Sequence, residues 1–269
     1  MPEQTSAESS ALLTANPSPP APAETGSWSA YRSLVRWNIA QVGSVLPLVV
    51  VVQALLAAGI IIGFGFVIPD IDAATARYLA TGAPTVLLMT VGLVIVPQGV
   101  ARARTDGTFV FLRSLPVPRL MILLADLTVW LLVALPSVAV AVVVAELRFD
   151  LALVLDWPVL LAAVVLVTVT ATSVGYALAV TLPPVLAQLV SQVLVFFVML
   201  FSPLTFPASQ LPEWFQAVHD WLPVQAAGDL LRAGLASEAY SADARDLVVL
   251  VAWCVLGVLL GLRALTRRD

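Results

Sequence analysis

The chain is 269 residues long, 60% hydrophobic and 11% charged, with a formal net charge of −4. A soluble domain carries roughly 25% charged residues, whereas several runs here reach the roughly 20 apolar residues that a helix needs to cross a bilayer. The composition excludes a soluble globular protein and points to an all-α polytopic membrane protein.

Residues 1–27 are rich in Pro, Ala, Ser, Thr and Glu, with Pro2, Pro17, Pro19, Pro20 and Pro22. Such a segment buries too little apolar surface to offset ordering, so a disordered tail is expected, on the cytoplasmic side by the orientation below. No basic residue precedes Arg32 and no apolar core follows the start, so the tail does not read as a signal peptide. From residue 28 to 42, Trp28, Tyr31, Leu34, Val35, Ile39 and Val42 recur at helical spacing, with Arg32 and Arg36 largely elsewhere on the wheel. This pattern predicts an N-terminal amphipathic helix lying in the membrane interface.

Six transmembrane helices follow, at 45–68, 78–100, 120–145, 158–182, 185–206 and 247–262. Pro183-Pro184 divides the long uncharged run between Asp156 and Glu213 into the fourth and fifth of them. Between the second and third lies 101–119, ARARTDGTFVFLRSLPVPR, with Arg102, Arg104, Arg113 and Arg119 against the single acid Asp106. Gly107 suits a tight turn there, and Asp106 suits capping the short helix that follows. Phe109, Leu112 and Arg113 share one face of that helix, which reads as a knob for a partner's cleft, and Pro116 and Pro118 end it. Before the sixth span, Leu211, Trp214, Phe215, Val218 and Leu222 repeat with helical period, and a second short helix is expected over 225–235. These external helices, within 207–235, carry Trp214 and Trp221 and read as interfacial or re-entrant-like elements dipping into the outer leaflet.

Orientation follows the arginines, all thirteen basic residues being of that type. With both termini on one side, that side holds nine of them and the other holds Arg77, Arg148, Arg232 and Arg245. The asymmetry places both termini and 101–119 in the cytoplasm.

Polar residues within the spans are few. Gln53 in the first span and Gln188 and Gln192 in the fifth suit either bonds to neighbouring helices or the lining of a pathway. Gly59 and Gly63 form a small-xxx-small pair that lets helices approach closely. Asp126 is the one ionisable side chain inside the expected spans, near enough to the cytoplasmic end to reach water or to pair with Arg119 or Arg113. His219 is expected to be a solvated external residue, and it has no neighbouring cysteine with which to form a zinc signature. Cys254 is the only cysteine and reads as packing. No basic patch with interleaved aromatics points to nucleic acid.

Two stretches, set in this topology, resemble the ABC type-2 export permeases, the membrane subunits of drug, lipid and polysaccharide exporters. The first is DGTFVFLRSLPVPR over 106–119, which looks like the family's cytoplasmic coupling segment. The second is FSPLTFPASQLPEWFQ over 201–216 with WLPVQAAGDLLR over 221–232, similar to the family's fifth-span end and external helices. Arg104, Thr105 and Asp106 stand where members often carry glutamate, and Asp126 stands near a place where a basic residue is common.

The resemblance implies one transmembrane domain over 28–269, with Arg104, Asp106, Gly107, Thr108, Phe109, Leu112, Arg113 and Pro116 as the ATPase-coupling set. It places Gln53, Gly59, Gly63, Asp126, Gln188 and Gln192 at a subunit interface or pathway, and Trp214, Phe215 and Trp221 on the external helices. It implies a permease that exports an amphipathic drug or lipid-like substrate across the cell membrane by alternating access. The expected partners are two copies of an ABC ATPase, a second permease chain, identical or related, and the lipid bilayer. No cofactor is expected on this chain, with ATP and Mg on the partner, because the sequence has no lysine and so no G-x-x-x-x-G-K-[ST]. An ion-coupled secondary transporter is the alternative reading, with only Asp126 to carry the ion and no internal repeat. An intramembrane enzyme lacks a serine or metal constellation to support it, and a non-transporting scaffold is the remaining class.

Overall fold

The computed structural model describes residues 27–67, 72–151 and 153–266, and these are helical with short connections. The tail over 1–26 lies outside the described residues. Helix α1 is Ser27–Gly43 and α2, the first span, is Leu46–Val67. The second span is built of α3 (Ala73–Thr90), a π-helical turn (Val91–Ile95) and α4 (Val96–Thr105). A short α5 (Thr108–Ser114) precedes the third span, α6 (Arg119–Phe149). The fourth and fifth spans are α7 (Trp157–Thr181) and α8 (Pro184–Phe201). After a 3₁₀ turn at Ala208–Gln210 come α9 (Glu213–His219), α10 (Pro223–Leu235) and the sixth span, α11 (Ala244–Thr266). Among the described residues, six helices are long and apolar enough to cross a membrane, as expected.

The span ends differ from expectation for local reasons. The second span begins earlier than residue 78 because Asp72 caps it, accepting from the Thr75 N–H at 3.1 Å. It also continues past residue 100, so Arg102 and Arg104 lie on its last helical turn and not in a loop. Pro97 has no N–H to give and its ring crowds the carbonyl four residues back. The helix widens into the π turn immediately before it. The third span runs to Phe149 and stops at Asp150, whose φ of 49° is the left-handed conformation an aspartate tolerates. The fifth span ends at Phe201, short of 206, where Ser202 turns extended before Pro203.

The second span is the centre of the bundle: 83% of its apolar stretch is buried, against 17% for the first and fifth spans. The core joins Leu88 and Leu93 of that span to Ala134, Val164, Val167, Leu231 and Leu250 from α6, α7, α10 and α11. Backbones touch where glycine permits it. A Cβ on Gly175 would lie 2.0 Å from the Gly92 carbonyl oxygen, so α7 packs directly on the π turn.

Candidate functional site: the arginine-rich end and the external helices

At the arginine-rich end, α4 and α7 are tied together. The last carbonyls of a helix have no partner within it and carry the negative end of its dipole. Arg104 Nη1 donates to two carbonyls at the end of α7, Ala179 O in its last turn and Leu182 O of the residue that caps it, each at 2.6 Å. Arg104 therefore binds this chain's own fourth span.

The chain then turns at Gly107, φ 84°, a conformation that a side chain would strain. Asp106 Oδ1 accepts from the Thr108 N–H at 3.0 Å, which holds the Asp106 carboxyl below the usual carboxylate range. The predicted turn and its acidic cap are both present.

The facing of α5 corrects the sequence reading. Phe109 packs inward with Val100 and Trp130, and Leu112 packs with Leu34 and Ile122. Neither is a free knob. The apolar residues that α5 presents outward are Val110, 68% exposed, and Phe111, 53% exposed. The Phe111 ring lies 6.3 Å from that of Trp37 on α1. Arg113 lies on α5 with its side chain outside what the structure describes, and Pro116 is exposed beyond it. Helix α1 lies on α6 through buried Leu34 and a 2.8 Å bond between the Tyr31 and Thr128 hydroxyls.

The tentative interface residues separate into two groups. Gln53 is buried and donates to Leu87 O at 3.3 Å, so it joins two helices of the same chain. Asp126 lines a cavity at the arginine-rich end together with Trp130. Of the two arginines expected to pair with Asp126, Arg113 has its side chain outside the described residues. Gly59 and Gly63 look onto open space, with nothing within 4 Å of a Cβ placed on either. Gln188 and Gln192 are exposed one turn apart on α8, whereas Ala187 and Ser191 face inward.

The external helices hold the most densely bonded polar cluster. Trp214 and Trp221 are exposed, and Phe215 is half-buried against Phe197 and Phe201. His219, expected in solvent, is 0% exposed. It stacks edge-on to Phe215, and its ring nitrogens lie 3.1 Å from Phe215 O and 3.4 Å from Ser202 Oγ. The broken end of the fifth span thus supplies its polar partner.

Arg232, which the sequence reading counted only for topology, is buried on α10. It donates to Pro203 O (3.0 Å), Leu204 O (2.9 Å) and Asp229 Oδ1 (2.8 Å), with its guanidinium 3.8 Å from the Tyr78 ring centroid. Tyr78 donates in turn to Pro203 O at 2.7 Å. Burial pushes the Asp229 carboxyl up, with Arg232 opposing the shift. The signal available in the sequence was the Asp229–Arg232 pair, three residues apart on a helix whose one other polar side chain is Gln225.

A family model described as ABC-2 family transporter protein matches residues 72–263, from the cap of the second span to the end of the sixth. No curated protein matches the chain. The six spans, the short helix at the arginine-rich end, the paired external helices and this match over most of the chain lead to one conclusion: it belongs to the ABC-2 transporter family and is a multi-pass permease of the kind that forms the membrane component of ABC transporters.

Proposed function

We propose that the chain is the permease subunit of an ATP-driven exporter, moving an amphipathic drug or lipid-like substrate out of the cell by alternating access. The observation that carries this reading is the short helix α5 at the arginine-rich end, held on the bundle by Phe109 and Leu112 while Val110 and Phe111 stand outward. An aromatic and an aliphatic side chain on a firmly seated helix suit the cleft of a soluble ATPase. Nine arginines at that end against four at the other favour its placement in the cytosol, with both termini. ATP and Mg belong on the partner ATPase, two copies of which stand beneath two permease chains. ATP-driven closure of the ATPases pushes α5, and the push reaches the fourth span through the Arg104 bonds as a rigid-body motion.

The seam between permease chains is assigned to the open faces of α2 and α8. Gly59 and Gly63 there admit close approach, and Gln188 and Gln192 face outward with no lipid group to satisfy them. Few charges line the spans, which suits an amphipathic cargo better than a polyanion.

The test is co-purification of the ATPase with the wild-type chain and with a Val110→Asp, Phe111→Asp variant. The wild type should retain the ATPase and export substrate, and the variant should lose both while its helical content is unchanged. Full ATPase retention and export by the variant would remove α5 from the coupling role.

A further inference from the structure

Beneath the external helices, between the second, fourth, fifth and sixth spans, is a cavity of about 380 Å³. Met89 and Leu93, halfway along the second span, form its inner wall, and Leu222, Pro223 and Val224 roof it. The surface it presents is apolar throughout. Thr170, Ser202 and Trp253 line it but turn their polar atoms to protein partners. Thr170 Oγ1 donates to Leu250 O at 3.4 Å, Ser202 Oγ lies 3.4 Å from the His219 ring, and Trp253 Nε1 donates to Trp221 O at 2.8 Å.

Water is poorly served there, since a buried water needs about two to four polar partners. Apolar cavities of roughly 150 Å³ already stay dry and take up apolar guests, and this one is more than twice that size. Its way out leads into the bilayer. The fifth and sixth spans each pack on α7 and scarcely on one another. Between them Val190, Leu194 and Phe197 of α8 face Trp253 of α11 across the cavity, and Phe197 is 41% exposed. On α8 these window residues stand about half a turn round from Gln188 and Gln192, so the proposed seam leaves the window open.

We infer that this cavity binds a single hydrocarbon chain, the acyl tail of a lipid, entering between α8 and α11 and ending against Met89 and Leu93. Size and shape select the chain. The volume holds about a dozen methylene-sized groups at roughly 30 Å³ each, the share a water takes in the liquid. The wall from Val190 to Val198 runs along α8 for about 12 Å at 1.5 Å per residue. A sterol has about twice the carbon count that the volume holds. With no polar atom facing the cavity, a headgroup stays outside the window. A bound chain supplies the dispersion contacts that the fifth and sixth spans do not make with each other. The same chemistry arrives either as one tail of a bilayer phospholipid or as a single-chain amphiphile. Binding does not rest on the transport reading.

The test uses the purified full chain in nanodiscs without any ATPase, so it fails separately from the transport reading. One preparation contains phosphatidylcholine with a diazirine in its acyl chain, and a second contains a diazirine fatty acid in unlabelled phosphatidylcholine. After irradiation, mass spectrometry of peptides should find label at Met89 or Leu93, which bulk lipid does not touch, Met89 being 2% exposed. Val174→Phe and Leu194→Trp, which fill the cavity from α7 and α8, should lose that label while exposed Leu259 of α11 keeps its own. If one variant does not fold, the other carries the test. Label from the phospholipid identifies a bilayer tail, and label from the fatty acid alone identifies a single-chain amphiphile. No label at Met89 or Leu93 from either probe, or label undiminished in a folded variant, would overturn the assignment.

Discussion

Replacing Arg232 by leucine isolates what holds the external helices in place. Leucine fills much of the buried volume but donates nothing. Pro203 O keeps its bond from the Tyr78 hydroxyl, while Leu204 O loses the donor it has in Arg232, a cost of about 1–3 kcal/mol for an unmet buried group. Loss of the cation over the Tyr78 ring removes about 1–2 kcal/mol more, the geometry being close and desolvated. The Asp229 side chain is 38% exposed and returns to water, so its ion pair contributes about 0–1 kcal/mol. The net destabilisation of α10 against the fifth-span end is about 3 kcal/mol, or about two decades in the opening equilibrium. Hydrogen exchange of peptides spanning 223–235 should show protection falling about a hundredfold, with Arg232→Lys intermediate because it keeps the charge but loses the fork. Protection unchanged in Arg232→Leu would refute the claim that this guanidinium fastens the external helices.

Arg104→Ala should loosen the base of the fourth span by about 1–3 kcal/mol, since two charge-assisted bonds are lost at a site that water reaches in part. The readout is faster exchange of the amides over 178–183. With the ATPase present, ATP turnover should persist while transport per ATP falls, and an unchanged ratio would deny Arg104 a transmitting role. Gly175→Ala forces a Cβ to within 2.0 Å of Gly92 O, so it should cost about 3 kcal/mol and lower the thermal midpoint, whereas Gly107→Ala should act only on the α5 turn. In a Cys254→Ser background, Gly59→Cys should cross-link two copies under mild oxidation, and a chain that stays monomeric on the gel would contradict the proposed seam.

The spans were legible because runs without charge are long, and Pro183-Pro184 marks the one division that hydropathy alone misses. Their ends were less legible, since Asp72 and Asp150 terminate helices through backbone geometry that apolar runs do not encode. The Asp106-Gly107 turn could be read from residue type, because a positive φ selects glycine. The facing of α5 could not. An apolar pair at i and i+3 looks the same whether it meets a partner or its own bundle, and here Val100, Trp130 and Leu34 take it up. His219 was misread, and the anchoring role of Arg232 overlooked, for the opposite reason. Their partners, Ser202, Pro203, Leu204 and Tyr78, lie on the broken end of one span and the start of another, well away in sequence.

The deep enclosure of the second span has a consequence for how bilayer composition acts on this molecule. A helix walled in by its neighbours takes protein as its solvent, so changes in acyl length or headgroup reach it only second-hand. The sixth span, α11, is only 22% buried and lies outside the proposed seam, so it meets the surroundings directly and bears the tilt that a thinner or thicker bilayer demands. Membrane thickness should therefore shift the angle of the periphery around a stationary axle, and the axle is the element that ends in the arginine-bearing turn.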